Sequence, residues 1–502
     1  MKTISDSEKA ISSNGKTNGS VKIGKSKKIN WEYSKSVEDS KHIKIKDQYD
    51  LFIGGKWVKS KKYFSTVNPA TEEVIANVAY ASDADVAKAV KTAKSAYDKS
   101  WSKMPPKERS KYIFRIARII QEKAREFAVI ESMDGGKPIK ESKSVDVPLA
   151  LAHFFYYAGW ADKLSYAFPG RKVSPIGVAG QIIPWNFPLL MAAWKIAPAL
   201  ACGNTVVIKS AETTPLTLYK LAEVIQEAGL PDGVVNIISG DGNTGAAIVR
   251  HPDTKKIAFT GSTEVGKLIM SQTAGTNKKL TLELGGKAAN IVFEDAPIDA
   301  AVEGIINGIY FNQGHVCCAG SRLLVQESIK DIIIKKLKHR LSTLRVGDPL
   351  DKNTDVGAIN SSMQLKKITE LVNAGISEGA TIFQSDCVLP PKGYWFRPTF
   401  FSDVAQSHRI ANEEIFGPVL SILTFRTPSE AVEKANNTFY GLSAGVWTDK
   451  GSKIFKTLSR IRAGVVWSNT FNKFNPASPF GGYKESGFGR EGGKQGLDVY
   501  VI

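Results

Sequence analysis

The sequence predicts an α/β protein built on parallel sheets with helices on both faces, and three observations predict it. Short β-branched runs alternate with helix-length segments from Gly177 onward, a G-x-G-x-x-G turn from Gly240 to Gly245 sits between such a run and such a helix, and a second alternating series begins after Gly286. Alternation of this kind belongs to βαβ units, whose crossover helices cover both faces of a sheet.

Residues 1–48 carry 11 Lys against 6 Asp or Glu and few aromatics. Such a composition buries too little apolar surface to offset chain entropy, so a disordered Lys- and Ser-rich arm is expected there. Ordered chain is expected from "LFIGGKWV" (51–58), where apolar residues flank Gly54-Gly55 as in a hairpin. Helices follow from residue 83 to about 102 and from Lys107 onward, after Pro105-Pro106; in the latter Ile113, Ile116, Ile120, Ala124 and Phe127 recur at spacings of three and four. Past Gly177, the strands "TVVIKS", "VVNIIS" and "KIAFTGS" are separated by the helix "PLTLYKLAEVIQEAGL" and by one after Thr244. The second series reads "AANIVFED", a helix through Tyr310, "SRLLVQES", and helices near 328–343 and 362–379. The Gly-rich "LGGK" between the two series marks a domain boundary.

A chain of 502 residues has room for two or more cores. Its net charge is +18, of which +5 lies in the arm and +13 is spread without a basic stripe, so the charge speaks to solubility and no nucleic-acid partner is expected. Cys202, Cys317, Cys318 and Cys387 match no metal spacing and are too few for a disulfide framework. No metal site is expected, and a reducing compartment, the cytoplasm, fits. The N-terminus lacks an apolar signal core, and Pro184, Asn186, Pro188 and Lys195 interrupt "QIIPWNFPLLMAAWKIAPALAC", the most apolar stretch, so no membrane span is expected.

The glycine fingerprint argues only weakly for a dinucleotide. The acidic partner such a site carries about 20 residues on falls near Glu264, inside the second turn "FTGSTEVG", and glycines that merely make tight turns explain the pattern equally well. Taken singly, Cys317 or Cys318 reads as a small buried hydrophobe and Asn186 as a turn former. Glu283 is better placed: Leu280, Leu282 and Leu284 share one strand face, which turns Glu283 to the other, beside the Gly285-Gly286 join.

"PWNFP" (184–188), "LELGGK" (282–287), "NQGHVCCAGSR" (312–322), "EEIFGPV" (413–419) and "SPFGGYKESGFGRE" (478–491) occur together in one order and at one spacing. In these motifs the chain resembles the aldehyde dehydrogenase family, from about residue 49 to the C-terminus, and within it the NAD-dependent, non-acylating branch. The resemblance implies a Rossmann-type cofactor domain over 49–284 with an oligomerisation segment at 162–178, an α/β catalytic domain over 285–478, and a C-terminal segment, 479–502, that returns to a small β oligomerisation element. It selects Cys317, three residues before Gly320, as nucleophile and leaves Cys318 as its packed neighbour. A disulfide between the two would be strained and would remove the thiolate.

The same resemblance implies that the Asn186 side-chain amide and the Cys317 N–H form an oxyanion hole, and that Glu283 is the base that hydrolyses the thioester to an acid. It assigns the adenosine ribose to Lys209 and Glu212, the pyrophosphate region to Gly261 and Ser262, a place near the adenine to Gly242, and the nicotinamide end to Glu414 and Phe416, with Trp185 also at the cofactor. Glu212 would repel a 2′-phosphate, which favours NAD, although NADP is accepted by some members with this glutamate. The implied substrate tunnel, Phe187, Trp194, Phe474 and Phe480, favours a small-molecule aldehyde with an apolar or aromatic tail. Asn472, Lys473 and Asn475 beside it open an alternative, a semialdehyde of amino-acid or sugar breakdown with a hydroxylated or anionic tail. The stretch "LSYAFPGRKVS" is about ten residues shorter than in tetrameric relatives, so a homodimer is expected ahead of a homotetramer. A catalytically idle basic binding protein is the remaining alternative, and intact Cys317, Glu283 and Asn186 argue against it.

Overall fold

The first alternating series closes into an eight-stranded sheet. In the computed structural model, which describes residues 34–502, the strand order is Gly487–Phe488, Lys279–Glu283, Thr254–Thr260, Val178–Ile182, Thr205–Lys209, Val235–Ile238, Leu51–Ile53 and Lys56–Val58. The five inner strands from Lys279–Glu283 to Val235–Ile238 run parallel. The expected Gly54-Gly55 hairpin and Gly487–Phe488 close the two edges antiparallel. The helices Asp83–Lys99 and Gly242–Arg250 lie on one face, and Pro188–Ala201 and Leu216–Glu227 on the other. Three central strands, Val178–Ile182, Thr205–Lys209 and Val235–Ile238, are therefore buried along their whole length, which is why their sequences read as continuous apolar runs.

Chain order spreads outward in both directions from Val178–Ile182. The order reverses between that strand and Thr254–Thr260, and loops leaving the carboxyl ends of strands at such a reversal part to form a crevice. The second series forms a seven-stranded sheet, in the order Thr381–Gln384, Thr399–Ser402, Val419–Phe425, Arg322–Gln326, Ala289–Val292, Ser443–Trp447 and Val465–Ser468, parallel except at the Thr381–Gln384 edge. Glu283 ends a strand of the first sheet and Ala289 begins one of the second, so the join falls at 284–288.

Three details differ from the sequence reading. The arm expected to be loose through residue 48 is fixed from residue 35 onward: Glu38 N–H donates to the Leu350 carbonyl at 2.8 Å, the buried Glu38 carboxylate pairs with Arg125, Ile43 is buried, and Gln48–Tyr49 adds a parallel strand beside Asn77 and Val78. A single acid and a few apolar side chains suffice to anchor this stretch; the rest of the arm lies outside the described residues. The apolar stripe expected to run through Phe127 is split, because the helix Pro106–Glu122 breaks at Lys123 and a new helix, Ala124–Gly135, carries Phe127 into the core. The helix expected after Thr244 begins at Gly242, where the Asp241 side chain caps it.

Apart from Val178, which begins a strand of the first sheet, the β contribution of segment 162–178 is a single bridge, Pro175 to Val501, flanked by paired hydrogen bonds between Ser174 and Ile502. Pro169, which has no N–H, and Gly170, at φ 73°, break the chain just after the short helix Leu164–Ala167. Among the described residues no helix is long and apolar enough to cross a membrane.

Candidate active site

The crevice predicted by the strand order is occupied by a cavity of about 290 Å³. Its first wall comes from carboxyl ends of the first sheet: Trp185 and Asn186 after Val178–Ile182, Gly261 and Ser262 after Thr254–Thr260, and Glu283. Its second wall comes from segments leading into strands of the second sheet, Val316 to Cys318 and Glu414 to Phe416. Of the residues expected at the site, all but Lys209, Glu212 and Gly242 line this one space.

The loop that carries Cys317 is built by a left-handed turn. After the helix Ile298–Tyr310, Asn312 and Gln313 take φ of 47° and 53°, and Gly314 takes 75°. Side chains cost energy in this conformation, and here hydrogen bonds offset it. The Asn312 N–H donates to the Glu141 carboxyl at 2.9 Å, its Nδ2 donates to the Asn186 carbonyl at 2.9 Å, and Gln313 Nε2 donates to the Ala358 carbonyl at 2.9 Å. The turn delivers two adjacent free thiols to different environments. Cys317 is half-buried and opens onto the cavity, whereas Cys318 is buried, its Sγ 3.7 Å from Asn472 Oδ1 and its carbonyl accepting from Ser443 Oγ at 3.0 Å. The neighbouring Cys318 thiol, then burial, hold the Cys317 thiol well above an ordinary cysteine. Both effects favour the thiol over the thiolate expected from sequence.

Two donors belong to residues that line the same cavity as that sulfur. Asn186 Nδ2 gives one hydrogen to the His315 carbonyl at 2.7 Å, which fixes the amide's orientation; an amide nitrogen carries two hydrogens, so the second remains to give. The Cys317 N–H makes no hydrogen bond among the described residues. Glu283 completes the group. Both of its carboxyl oxygens are buried with no hydrogen-bond partner, and burial, followed by the charge of Glu491, raises its pKa well above the usual carboxylic range.

The two glycines that follow Glu283 make the walls meet. A Cβ on Gly285 would lie 2.6 Å from Glu414 Oε2, and one on Gly286 would lie 2.3 Å from the Cys317 carbonyl oxygen. The Gly286 N–H donates to Glu414 Oε1 at 2.8 Å, so "LELGGK", the cysteine loop and "EEIFGPV" are locked together at one point. Phe416, at φ 55°, sets its ring perpendicular to Trp185 with centroids 5.2 Å apart. Trp194, Phe474 and Phe480 form a ring cluster with centroids 5.3–6.4 Å apart, and Phe187 stacks on Phe311 at 6.2 Å.

The three residues outside the cavity sit at neighbouring strand ends. Lys209 Nζ donates to Glu212 Oε1 at 2.9 Å and to the Ser210 carbonyl at 2.9 Å. Gly242 opens a helix whose first N–H groups are already taken by Asp241.

Sequence reasoning missed a buried ion pair below Glu283. Lys195 Nζ donates to Glu491 Oε1 at 2.6 Å and Oε2 at 2.8 Å, and to Thr260 Oγ1 at 2.7 Å, with both charged side chains fully enclosed. The available signal was a lysine inside the otherwise apolar "PLLMAAWKIAPALA", since a lysine there must find a partner. Also missed were Gln364 and Lys367 in the cavity wall; Gln364 Nε2 donates to the Phe416 carbonyl at 2.9 Å.

A thiol facing two hydrogen-bond donors and an unpartnered carboxyl group is the equipment of enzymes that carry a carbonyl carbon through a covalent cysteine adduct. Comparison with known proteins narrows the class. The model of the aldehyde dehydrogenase family matches residues 57–502, and the chain belongs to that family. It is an oxidoreductase acting on aldehydes. It is 46% identical over 463 residues to an aldehyde dehydrogenase of Alternaria alternata, covering 90% of this chain and 93% of that one. It is 46% identical over 464 residues to retinal dehydrogenase 2 of Homo sapiens, covering 90% of each. The NAD+ complex of the aldehyde dehydrogenase from Bacillus cereus superposes with a TM-score of 0.88 at 42% identity, over 91% of this chain and 95% of that one.

Proposed function

We propose that the protein oxidises an aldehyde to its carboxylic acid with NAD, using Cys317 as nucleophile, Asn186 and the Cys317 N–H as oxyanion donors, and Glu283 as base. The observation that carries this reading is the convergence of one half-open thiol, two free donors and an unpartnered carboxyl group in a single cavity.

The donor set fits a dinucleotide. Glu212, a carboxylate held beside the Lys209 ammonium, suits a ribose diol and would repel a 2′-phosphate, so NAD is favoured over NADP. The N-terminus of the helix Thr263–Thr273, after Gly261 and Ser262, suits a pyrophosphate, and the Glu414 carboxylate in the cavity wall suits a second ribose, with Trp185 and Phe416 beside it. NAD, when bound, supplies the acceptor for the hydride that leaves the aldehyde carbon.

The Cys317 thiol releases its proton to solvent water, and the sulfur forms a bond to the carbonyl carbon as the C=O pair moves to oxygen, giving an alkoxide held by Asn186 Nδ2 and the Cys317 N–H. Loss of hydride restores the C=O bond and leaves a thioester on Cys317. Glu283, once ionised, takes a proton from water as the water oxygen attacks that carbon. The C–S bond then breaks, sulfur leaves as thiolate, and the acid departs. The lone buried position of Glu283 supports this role, since no neighbour competes for its lone pairs. Phe187, Trp194, Phe474 and Phe480 wall the path by which the aldehyde reaches Cys317.

The slight β contribution of segment 162–178 supports a homodimer over a homotetramer, and the four free cysteines support a reducing compartment such as the cytoplasm. Absorbance of reduced NAD in the presence of an aldehyde panel tests the reading. Turnover is expected for the full chain and a loss of at least about 10⁴-fold for Cys317→Ser. Full-speed oxidation by that variant would overturn it.

A further inference from the structure

We propose that the tunnel selects aldehydes that carry a carboxylate at the end remote from the carbonyl, with Lys473 as the residue that reads it. The proposal rests on the function given above and names the substrate class of the same site. Lys473 and Asn307 both line the cavity and both are exposed, so they mark one solvent-facing end of it, away from exposed Ser262 and Lys367. The Lys473 ammonium makes no hydrogen bond or ion pair among the described residues, and the Asn307 side-chain amide makes none either. An ammonium and an amide N–H left free at one opening are the donors a carboxylate accepts from.

The loop that carries Lys473 is held rather than loose. Asn472 takes a left-handed φ of 52° and its Nδ2 donates to the Asn307 carbonyl at 3.0 Å; on the other side, Trp467 Nε1 donates to the Lys473 carbonyl at 3.0 Å. The remaining charges of the cavity lie elsewhere along it. Glu283 stands beside Cys317, while Lys367 and Glu414 lie at the Phe416 end, where Gln364 of the same helix as Lys367 binds the Phe416 carbonyl. Lys473 thus sets the sign of charge at the mouth. Between the mouth and Cys317 the ring cluster offers apolar walls, so the substrate that fits is an ω-oxo acid with an apolar spacer. A cationic aminoaldehyde is disfavoured by the same ammonium.

The test compares an ω-oxo acid, its methyl ester and an ω-aminoaldehyde of equal chain length, with the full chain and NAD. The acid is expected to exceed the ester by about fivefold in kcat/KM, which at 1.36 kcal/mol per tenfold corresponds to about 1 kcal/mol, and the preference is expected in KM and to shrink as salt is added. The aminoaldehyde is expected to be slowest. Lys473→Ala should bring the acid-to-ester ratio to about one, Lys473→Glu should invert it, and Lys473→Arg should keep it. General damage to the fold lowers all three substrates together and leaves the ratio alone. A ratio at or below one in the unmodified protein, or a preference that survives in Lys473→Ala, would overturn the proposal while leaving aldehyde oxidation intact. Absence of turnover with every aldehyde would instead remove the parent reading.

Discussion

Of the glycine-bearing turns that leave the first sheet, the one from Gly240 to Gly245 and the one after Glu283 differ most: the second lines the cavity and the first does not. The turn from Gly240 to Gly245 satisfies the dinucleotide fingerprint, yet its helix N-terminus is filled by its own chain: the Asp241 carboxylate accepts from the Asn243 N–H at 2.8 Å and the Thr244 N–H at 3.4 Å. The turn after Glu283 matches no phosphate pattern, yet its missing side chains admit the Glu414 carboxyl and the Cys317 carbonyl from the second sheet. Each turn has an acid in it or just before it, Asp241 in the first and Glu283 ahead of the second, and the acids differ as the turns do. Asp241 is satisfied by local donors and ionises more readily than an ordinary aspartate; Glu283 has no partner and resists ionisation. A glycine records that something comes close. What comes close is decided elsewhere in the sequence.

The sharpest way to break this comparison is to remove the ionisable group of the second turn. Glu283→Gln should lower steady-state turnover by about 10²–10⁴-fold while leaving a burst of one reduced NAD per site, because only thioester hydrolysis needs the base. The pH dependence carries a sign. In the proposed mechanism hydrolysis uses ionised Glu283, whose pKa is raised by burial, so turnover should climb as pH rises toward that value, and the climb should vanish from the steady state of Glu283→Gln. The burst should still quicken with pH in both proteins, since Cys317 must lose its proton too. A variant with no burst, or with unaltered turnover, would assign Glu283 a different role.

Next in size is the close approach itself. Gly286→Ala would put a Cβ 2.3 Å from the backbone oxygen of Cys317, where nothing can rotate away. The nucleophile loop must shift, and a shift of about an ångström costs roughly 100-fold in kcat. Gly242→Ala meets no atom within 4 Å, and its kcat should stay within about twofold. Equal losses in the two variants would mean that the turns are equivalent after all.

The parts of this contrast that were legible in the sequence are the local ones. The Gly54-Gly55 hairpin, the βαβ alternation and the join at 284–288 follow from short-range pattern, because strand and helix periods are set by near neighbours. The gathering of Cys317, Asn186 and Glu283 in one cavity was expected only through ordered motifs, since positions 186 and 317 lie far apart in the chain and no periodicity links them. The Lys195–Glu491 pair escaped notice for the same reason: Lys195 is conspicuous in its apolar helix, but nothing local names Glu491, 2.6 Å away in the fold, as its partner. The anchoring of residues 35–48 by Glu38 was masked by the surrounding lysines, and composition averages over the one side chain that mattered.

The smallest expected effect tests the quiet turn. Asp241 caps the helix Gly242–Arg250, and replacing it with Ala removes an acceptor for two N–H groups at a cost of about 1 kcal/mol, or about 1–2 °C in Tm for a chain this long. The Tyr80 hydroxyl, then the capped N–H groups, hold the Asp241 pKa below the ordinary aspartate value. Its contribution to stability is therefore complete above the unfolded value of about 3.9 and is lost as pH falls through the lower folded one. Calorimetry of both proteins should show a constant Tm gap between about pH 5 and 8 that closes under stronger acid, with kcat within about twofold throughout. A tenfold rise in KM for NAD in Asp241→Ala would place this turn on the cofactor's path and erase the distinction between the two.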